Sequence, residues 1–426
     1  MQKFFLVLSF FLIQTTIFSQ SDDLEGKLKA QEEAIREKSK GEEKDTLNTD
    51  YYKIFYLDGR IDNVDTTLNI YKDYKFNFLR EDSFDLISFA NSAHTYNKLA
   101  YDFKDFSKPD IGARGKHFHY FEKEDIGYYN VPTPLTEIFA KSTYEQGQIL
   151  DMLVSINLNP QYNFTIAHKG YKSLGKYLST RSRGNQFRFS SNFKSKNDRS
   201  NWKLHFVSQN IFNQENGGLD PDSIYYFEQA TEYFVVDNFG NQIIEEDGSY
   251  RMIEYDGYLD RSRLGPQIFA EGSLYSKRFF SDFHYALIKK KSQNLNTLAL
   301  NYQFTHEYKK IQFKDQSKNL TFGDLDEIEE VNDLSRFIEQ ENKLILSSNI
   351  NKLGNFQFSY SITNWKNSFR IYENQSIDDL VLEIDPNQSN LSFDWKKLFK
   401  EYSFEFHINK SSKEKFKSDV IQLSIK

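Results

Sequence analysis

The sequence predicts an all-β protein, namely an antiparallel transmembrane β-barrel of about 14–16 strands behind a short charged N-terminal segment. Aromatic residues make up 16% of the chain although hydrophobic residues reach only 38%. After the first twenty positions there is no run of the ~18 apolar residues that a membrane helix needs. From about residue 135 onward, apolar and polar residues alternate with the period of a β-strand. Together these features favour strands with aromatic faces over helices.

Composition excludes several other classes of protein. The net charge of -7 provides no basic surface for nucleic acid. Disordered chains are poor in aromatic residues, and a disulfide scaffold is impossible without cysteine. The mean hydropathy of -0.68 does not count against membrane insertion, because averaging along an alternating strand hides its apolar face.

The N-terminus predicts export. Met1–Lys3 is a basic start, and Phe4–Ile13 is an apolar stretch too short to span a bilayer as a helix. We therefore predict a cleaved signal peptide over residues 1–20, with a buried N-terminal helix as the alternative. Residues 21–48 are rich in charge and poor in apolar residues, which predicts a flexible or helical tether. A partner-binding helix remains the other interpretation of this segment.

Residues 49–130 are predicted to form a β-rich N-terminal segment, since short β-like runs such as Tyr51–Tyr56 and Leu68–Tyr71 occur between acidic turns. Residues 131–426 are predicted to form the barrel. Within them Phe187 and Phe189 alternate with Arg188 and Ser190, and similar segments recur as hairpins. The predicted turns differ in length: 351–355 is short, whereas 214–264 and 319–342 are long and acidic.

Strands with one apolar face suit either a soluble sandwich or barrel, whose core is apolar, or an outer-membrane barrel, whose apolar face contacts lipid. Aromatic side chains on that face suit hydrocarbon and interfacial girdles. Strands of ~10 residues match a tilted bilayer crossing, whereas globular strands average ~5–6 residues. The alternation therefore favours the membrane barrel.

Several motifs between residues 50 and 220 resemble the putative porin family of Gram-negative outer membranes. The motifs are Tyr128–Glu137, Tyr144–Asp151, Asn159–Phe164, Ser173–Tyr177 and Glu215–Gly218, with Val64–Leu68 and Asn77–Asp82 upstream. The resemblance implies an outer-membrane β-barrel with porin activity and supplies no catalytic residues. The family is typically longer, and Val420–Lys426 reads as a strand cut short, so either the sequence is truncated or the barrel is small.

Polar positions of the alternating strands are the candidate pore-lining residues: Arg188, Lys194, Lys203, Asn301, Gln303 and Glu405. We predict that Ser190→Cys reacts with a water-soluble thiol reagent and that Phe189→Cys does not. No catalytic residue, metal site or cofactor is predicted. His117 and His119 lack an identifiable third ligand. The acidic run 324–330 lacks calcium-loop spacing, and Asp220–Asp222 is read as a turn.

The resulting hypothesis is an exported, non-enzymatic protein of the cell outer membrane that lets small hydrophilic solutes diffuse passively. Its expected partners are outer-membrane lipid, those solutes and the barrel-assembly machinery, with no nucleic acid. One alternative is a soluble or surface-attached all-β binding protein. A second alternative is a membrane-barrel hydrolase, which would need a Ser or Asp constellation near His205, His284 or His407.

Overall fold

A computed structural model gives the structure of most of the chain after residue 48. It describes residues 49–65, 69–100, 114–143, 147–229, 232–235, 241–254, 264–290, 295–315, 331–350, 353–371, 380–384, 387–399, 402–413 and 416–425. The predicted signal peptide and tether lie outside these residues. Among the described residues, no helix combines the length and the apolar character needed to cross a membrane.

The described residues between positions 49 and 134 form short elements. The 3-10 helices are Thr49–Tyr51, Ile70–Lys75, Arg114–His119 and Lys123–Asp125, and the strands are β1 (Lys53–Phe55), β2 (Ile61–Asn63), β3 (Leu86–Ser88), β4 (Tyr96–Lys98) and β5 (Tyr128–Asn130). Strands β2, β1 and β5 form one small sheet, and β3 pairs with β4. We call this part of the chain the N-terminal segment.

One large antiparallel sheet dominates the rest of the chain. Its strands are β6 (Leu135–Thr143), β7 (Gly147–Asn159), β8 (Tyr162–Ser173), β9 (Ser182–Lys194), β10 (Ser200–Glu215), β13 (Ala270–Lys290), β14 (Leu295–Asp315), β15 (Val331–Ile350), β16 (Gly354–Ile371), β17 (Leu380–Ile384), β18 (Asn387–Phe399), β19 (Tyr402–Lys413) and β20 (Phe416–Ile425). Twelve of these thirteen strands follow one another in chain order, and β17 pairs beside β16. The predicted all-β antiparallel class is confirmed.

The remaining regular structure of the described residues lies in the connection between β10 and β13. Strands β11 (Glu232–Phe234) and β12 (Met252–Glu254) pair with each other, and an α-helix spans Pro221–Gln229. The prediction of a simple turn at Asp220–Asp222 is wrong. Asp220 Oδ1 accepts a hydrogen bond from the Ser223 backbone N–H at 2.8 Å, so Asp220 caps the helix that Pro221 begins.

The sheet has one exposed face that is largely apolar and one buried face that is largely polar, although the buried face also contains apolar residues such as Ile149 and Leu153 of β7. In β7, Leu150, Met152 and Val154 are exposed, whereas Asp151 and Ser155 between and beside them are buried. This is the reverse of a soluble core, in which apolar side chains are buried. The predicted alternation is confirmed, and we call the buried polar side the inner face.

The exposed apolar residues form a band that covers only part of the longest strands. Phe283, Tyr285 and Leu287 of β13 are exposed. Nearer the start of the strand, the exposed residue on the same face is the charged Lys277. Strands β13 and β14 have 21 residues each, about twice the predicted length. The additional residues extend beyond the apolar band.

The two ends of the sheet carry different connections. At the end nearer the apolar band, strands are joined by 160–161, 195–199, 291–294, 351–353 and 400–401, and we call this the short-turn end. The opposite end, which we call the long-loop end, carries 174–181, 216–269, 316–330 and 372–386, beside the short links 144–146 and 414–415. The prediction that turns differ in length is confirmed, but the predicted bounds 319–342 are wrong, because residues 331–342 pair with β14 as the first part of β15.

The N-terminal segment packs against the inner face. Phe78 and Ala93 form a small apolar cluster with Phe139, Ile149 and Tyr171 of the sheet. A Cβ on Gly184, the β9 partner of Tyr171, would lie 2.2 Å from atoms of that tyrosine ring. Glycine at this position therefore lets the Tyr171 ring lie across β9 and reach Phe78, whose ring centroid is 4.7 Å away.

Candidate solute pathway at the inner face

A polar cavity of about 650 Å³ lies at the short-turn end of the inner face. On one side it is lined by residues 55–59 of the N-terminal segment, and on the other by residues of β9, β10 and β13–β16. Amide side chains are prominent in its wall, which includes Asn192, Asn201, Asn301, Gln303 and Gln357. Such side chains offer both donors and acceptors to a hydrated solute.

The cavity wall also carries charges of both signs. Lys203 of β10 lies opposite Asp282 of β13 in the sheet register, and both residues line the cavity. Lys203 Nζ donates to the Tyr56 backbone oxygen at 3.3 Å and lies 5.3 Å from the centre of the Tyr128 ring. Asn301 Nδ2 donates to Asp282 Oδ1 at 3.5 Å. Because opposite charges are interspersed, the wall has no strong bias toward one sign.

Four of the six predicted pore-lining residues come together in this wall: Lys194, Lys203, Asn301 and Gln303. Lys194 lies at its edge, where its side chain is 68% exposed and its Nζ is 3.0 Å from Asp198 in the hairpin turn. The role of these residues in conduction remains a prediction.

The other two predicted residues lie elsewhere. Arg188 is packed away from the cavity, where its Nη2 donates to Asp151 Oδ1 at 2.7 Å and its guanidinium lies 4.2 Å from the Phe121 ring centre. Glu405 is opposite Lys396 in the register of β18 and β19, and its side chain lies outside the described part of the structure.

Further along the inner face, buried side chains bind the backbone of the N-terminal segment. Arg278 donates from Nη2 to the Phe121 oxygen at 2.8 Å, from Nη1 to Glu307 at 3.2 Å and from Nε to His205 Nε2 at 3.2 Å. Because His205 Nε2 accepts this bond, the neutral ring carries its proton on Nδ1 and donates to the Tyr128 hydroxyl at 2.9 Å.

Gln209 of β10 also binds the backbone of Phe121 in the N-terminal segment. Its Oε1 accepts from the Phe121 N–H at 2.8 Å, and its Nε2 donates to the Phe121 oxygen at 3.1 Å. One amide side chain thus satisfies both backbone groups of Phe121, as a neighbouring strand would. The sequence does not predict this contact, because an isolated glutamine in an alternating strand carries no signal for a partner 88 positions away.

Ser190 is buried in the structure and does not face water, contrary to the expectation. Ser190 is 4% exposed, and its hydroxyl donates to the Gly127 oxygen at 2.9 Å. The N-terminal segment therefore covers this position of the inner face.

Two histidines of the N-terminal segment are held neutral by burial. Burial lowers the pKa of His119 to about 3, and its Nε2 donates to the His94 backbone oxygen. Burial also lowers the pKa of His94. Burial raises the pKa of Tyr96 to about 12. At neutral pH these three side chains therefore add hydrogen-bonding groups and no charge.

The histidines considered for catalysis each have a hydrogen-bond partner among the described residues, and for His407 this partner is an aspartate. His205 contacts Tyr128 and Arg278, His284 contacts Asn301, and His407 pairs with Asp394. In the part of the chain that the structure describes, no group of three His, Cys, Asp or Glu residues could hold a metal. The side chain of His117 and the acidic run 324–330 lie outside the described residues.

Comparison with protein families gives one match: the model of the family described as putative porin matches residues 48–425. No curated protein matches the chain.

Among solved structures, P. aeruginosa FpvA bound to pyoverdine and iron is similar at 9% identity and TM-score 0.44, over 68% of this chain and 39% of that one. BauA, the ferric preacinetobactin receptor of Acinetobacter baumannii, is 5% identical at TM-score 0.44, over 71% of this chain and 48% of that one. The ferric-catecholate import receptor Fiu of E. coli is 6% identical at TM-score 0.40, over 70% and 47%. The chain thus spans less than half the length of these proteins.

Proposed function

The chain belongs to the family described as putative porin, and from that premise we propose that it is an outer-membrane β-barrel through which small hydrophilic solutes diffuse passively. The division of the two sheet faces carries the proposal. In β15, Leu344 and Leu346 are exposed on one side, and Lys343 lies on the other side in the wall of the polar cavity. An apolar outer face is stable against lipid, whereas a polar inner face needs water or polar partners.

The connections support an orientation in the membrane. Bacterial outer-membrane barrels have short periplasmic turns and longer extracellular loops. On this basis the short-turn end faces the periplasm, and the polar cavity opens toward that side. Export would use the predicted signal peptide 1–20, and insertion would use the barrel-assembly machinery.

The N-terminal segment sets the expected size of the pathway. It covers part of the inner face between the polar cavity and the long-loop end, where Arg278 and Gln209 bind Phe121. We therefore expect small conductance steps. We also expect weak ion selectivity, because cations and anions such as Lys203 and Asp282 alternate in the wall.

Planar-bilayer recording with refolded full-length protein tests the proposal. Adjacent residues of β14 provide a matched pair: Asn301 lines the cavity, and Tyr302 is exposed on the apolar face. Asn301→Trp should lower the unit conductance by about half or more, because the indole occupies cavity volume. Tyr302→Trp should leave the conductance unchanged.

Heat-modifiable migration on a gel establishes that both variants fold. Absence of conductance and of solute flux in the folded wild-type protein would overturn the diffusion proposal. Equal conductance in the two folded variants would show that the cavity is not the pathway.

A further inference from the structure

A second cavity, of about 710 Å³, lies at the long-loop end and has a different character. The N-terminal segment contributes Phe89, Ala90 and His94 to its lining. The opposite side is formed by Glu215 at the end of β10 with residues 216–219 after it, by Phe227 of the α-helix, by Ile268 before β13 and by Phe313 of β14. Its wall is mostly apolar and aromatic, in contrast to the polar cavity.

The cavity presents no uncompensated charge among its described lining residues. Glu215 is the only lining residue with a side chain charged at neutral pH, and its Oε1 accepts from Lys116 Nζ at 2.6 Å. Lys116 also donates to Asn213 Oδ1 at 3.0 Å. Gly272 makes room for this lysine, since a Cβ there would lie 2.7 Å from Nζ. The charge of the Glu215 carboxylate is thus balanced by the ammonium group of Lys116.

His94, one of the lining residues, has one ring nitrogen without a hydrogen-bond partner among the described residues. Its Nε2 is 2.6 Å from the Gln214 backbone oxygen, and a carbonyl oxygen can only accept, so Nε2 carries the proton. Burial lowers the pKa of His94, and the ring is therefore neutral at neutral pH. Its Nδ1 is then an acceptor, and it is buried with no hydrogen-bond partner in the described structure. A buried polar atom without a partner is costly unless something supplies the missing hydrogen bond.

We propose that this cavity is a binding site for an uncharged small molecule with an aromatic or compact aliphatic body and a hydroxyl or N–H donor. Its volume lies within the range of small-molecule sites, which are mostly apolar with a few polar groups that fix orientation. Phe89 and Phe313 supply apolar contact area, and Nδ1 of His94 accepts from the donor. The site lies at the opposite end of the inner face from the polar cavity, so the inference does not depend on solute diffusion.

Equilibrium dialysis of 2-naphthol against full-length protein in lipid nanodiscs tests the proposal, with empty nanodiscs measuring partition into lipid. We expect one saturable site per chain. Ala90→Trp places an indole in the cavity and should weaken binding about tenfold or more. Leu57→Trp is the matched control, because it adds the same group to the polar cavity and should leave 2-naphthol binding unchanged.

Ligand chemistry tests the roles of charge and of His94. Naphthalene, which has no donor, and 2-naphthoate, which is charged, should each bind about fivefold or more weakly than 2-naphthol. His94→Phe should abolish the preference for 2-naphthol over naphthalene. The proposal is overturned if no saturable site is found, if Ala90→Trp binds like the wild type, or if 2-naphthoate binds as well as 2-naphthol. Retention of the preference in His94→Phe would overturn the role of Nδ1.

Discussion

Replacement of Arg278 by methionine tests how the N-terminal segment is held at the inner face. Arg278 is 1% exposed and binds the Phe121 oxygen, Glu307 and His205. Its removal leaves the Glu307 carboxylate, which is 7% exposed, with Lys309 at 3.5 Å and the Tyr120 hydroxyl. Breaking a buried ion pair from one side typically costs about 3–5 kcal/mol. Because Lys309 remains, we expect a loss in the free energy of unfolding of about 3 kcal/mol.

The double variant Arg278→Met/Glu307→Met supplies the control. It removes the Glu307 carboxylate together with its Arg278 partner, so no unpaired buried charge remains. We expect its loss in unfolding free energy to be at least about 1 kcal/mol smaller than the sum of the losses in the two single variants. The free energies would come from urea titration of the protein refolded into lipid vesicles. Limited proteolysis should show faster cleavage within residues 114–134 of Arg278→Met. Additive losses in the double variant, or a single-variant loss below about 0.5 kcal/mol, would refute the inferred role of the buried pair.

Three further predictions concern other residues of the inner face and of the N-terminal segment. In the intact protein, neither Ser190→Cys nor Phe189→Cys should react quickly with a water-soluble maleimide, and rapid labelling at position 190 would mean that the N-terminal segment leaves this face open. Gly184→Ala should cost about 1–3 kcal/mol of unfolding free energy by overpacking, and Tyr171→Val should recover part of that loss; no recovery would remove the steric explanation. Since the pKa of His119 in the folded protein is about 3, below the unfolded value, stability should be full above about pH 6.5 and fall toward pH 3 by up to about 1.4 kcal/mol per pH unit. Denaturant titration across that range should show a shallower slope in His119→Gln, and an unchanged slope would exclude this residue as the cause.

The sequence was sufficient to predict the division of the sheet into two faces. Alternation is a local property: once Phe187 and Phe189 are assigned to one side, Arg188 and Ser190 must lie on the other. Four of the six predicted pore-lining residues consequently lie together in the polar cavity. Glycines and prolines are few, so little interrupts this pattern.

The N-terminal segment could not be placed from the sequence. Its contacts join residues far apart in the chain, such as Phe121 with Gln209 and Gly127 with Ser190. In both contacts a side chain of the sheet binds a backbone group of the N-terminal segment. Every residue has these backbone groups, so the amino-acid composition does not indicate which of them is bound. The helix cap at Asp220 was missed for a related reason, since an Asp-Pro pair begins turns and helices alike.

The length of β13 and β14 has a consequence for the surface of the cell. At ~3.3 Å per residue, 21 residues measure about 70 Å along the strand. At a tilt of about 45° this corresponds to a height of about 50 Å, of which the apolar region of an outer membrane accounts for about 25 Å. In the proposed orientation most of the remainder would stand outside the cell as hydrogen-bonded sheet. The entrance of the protein would then stand above the lipid headgroups, surrounded by paired strands rather than by loops alone.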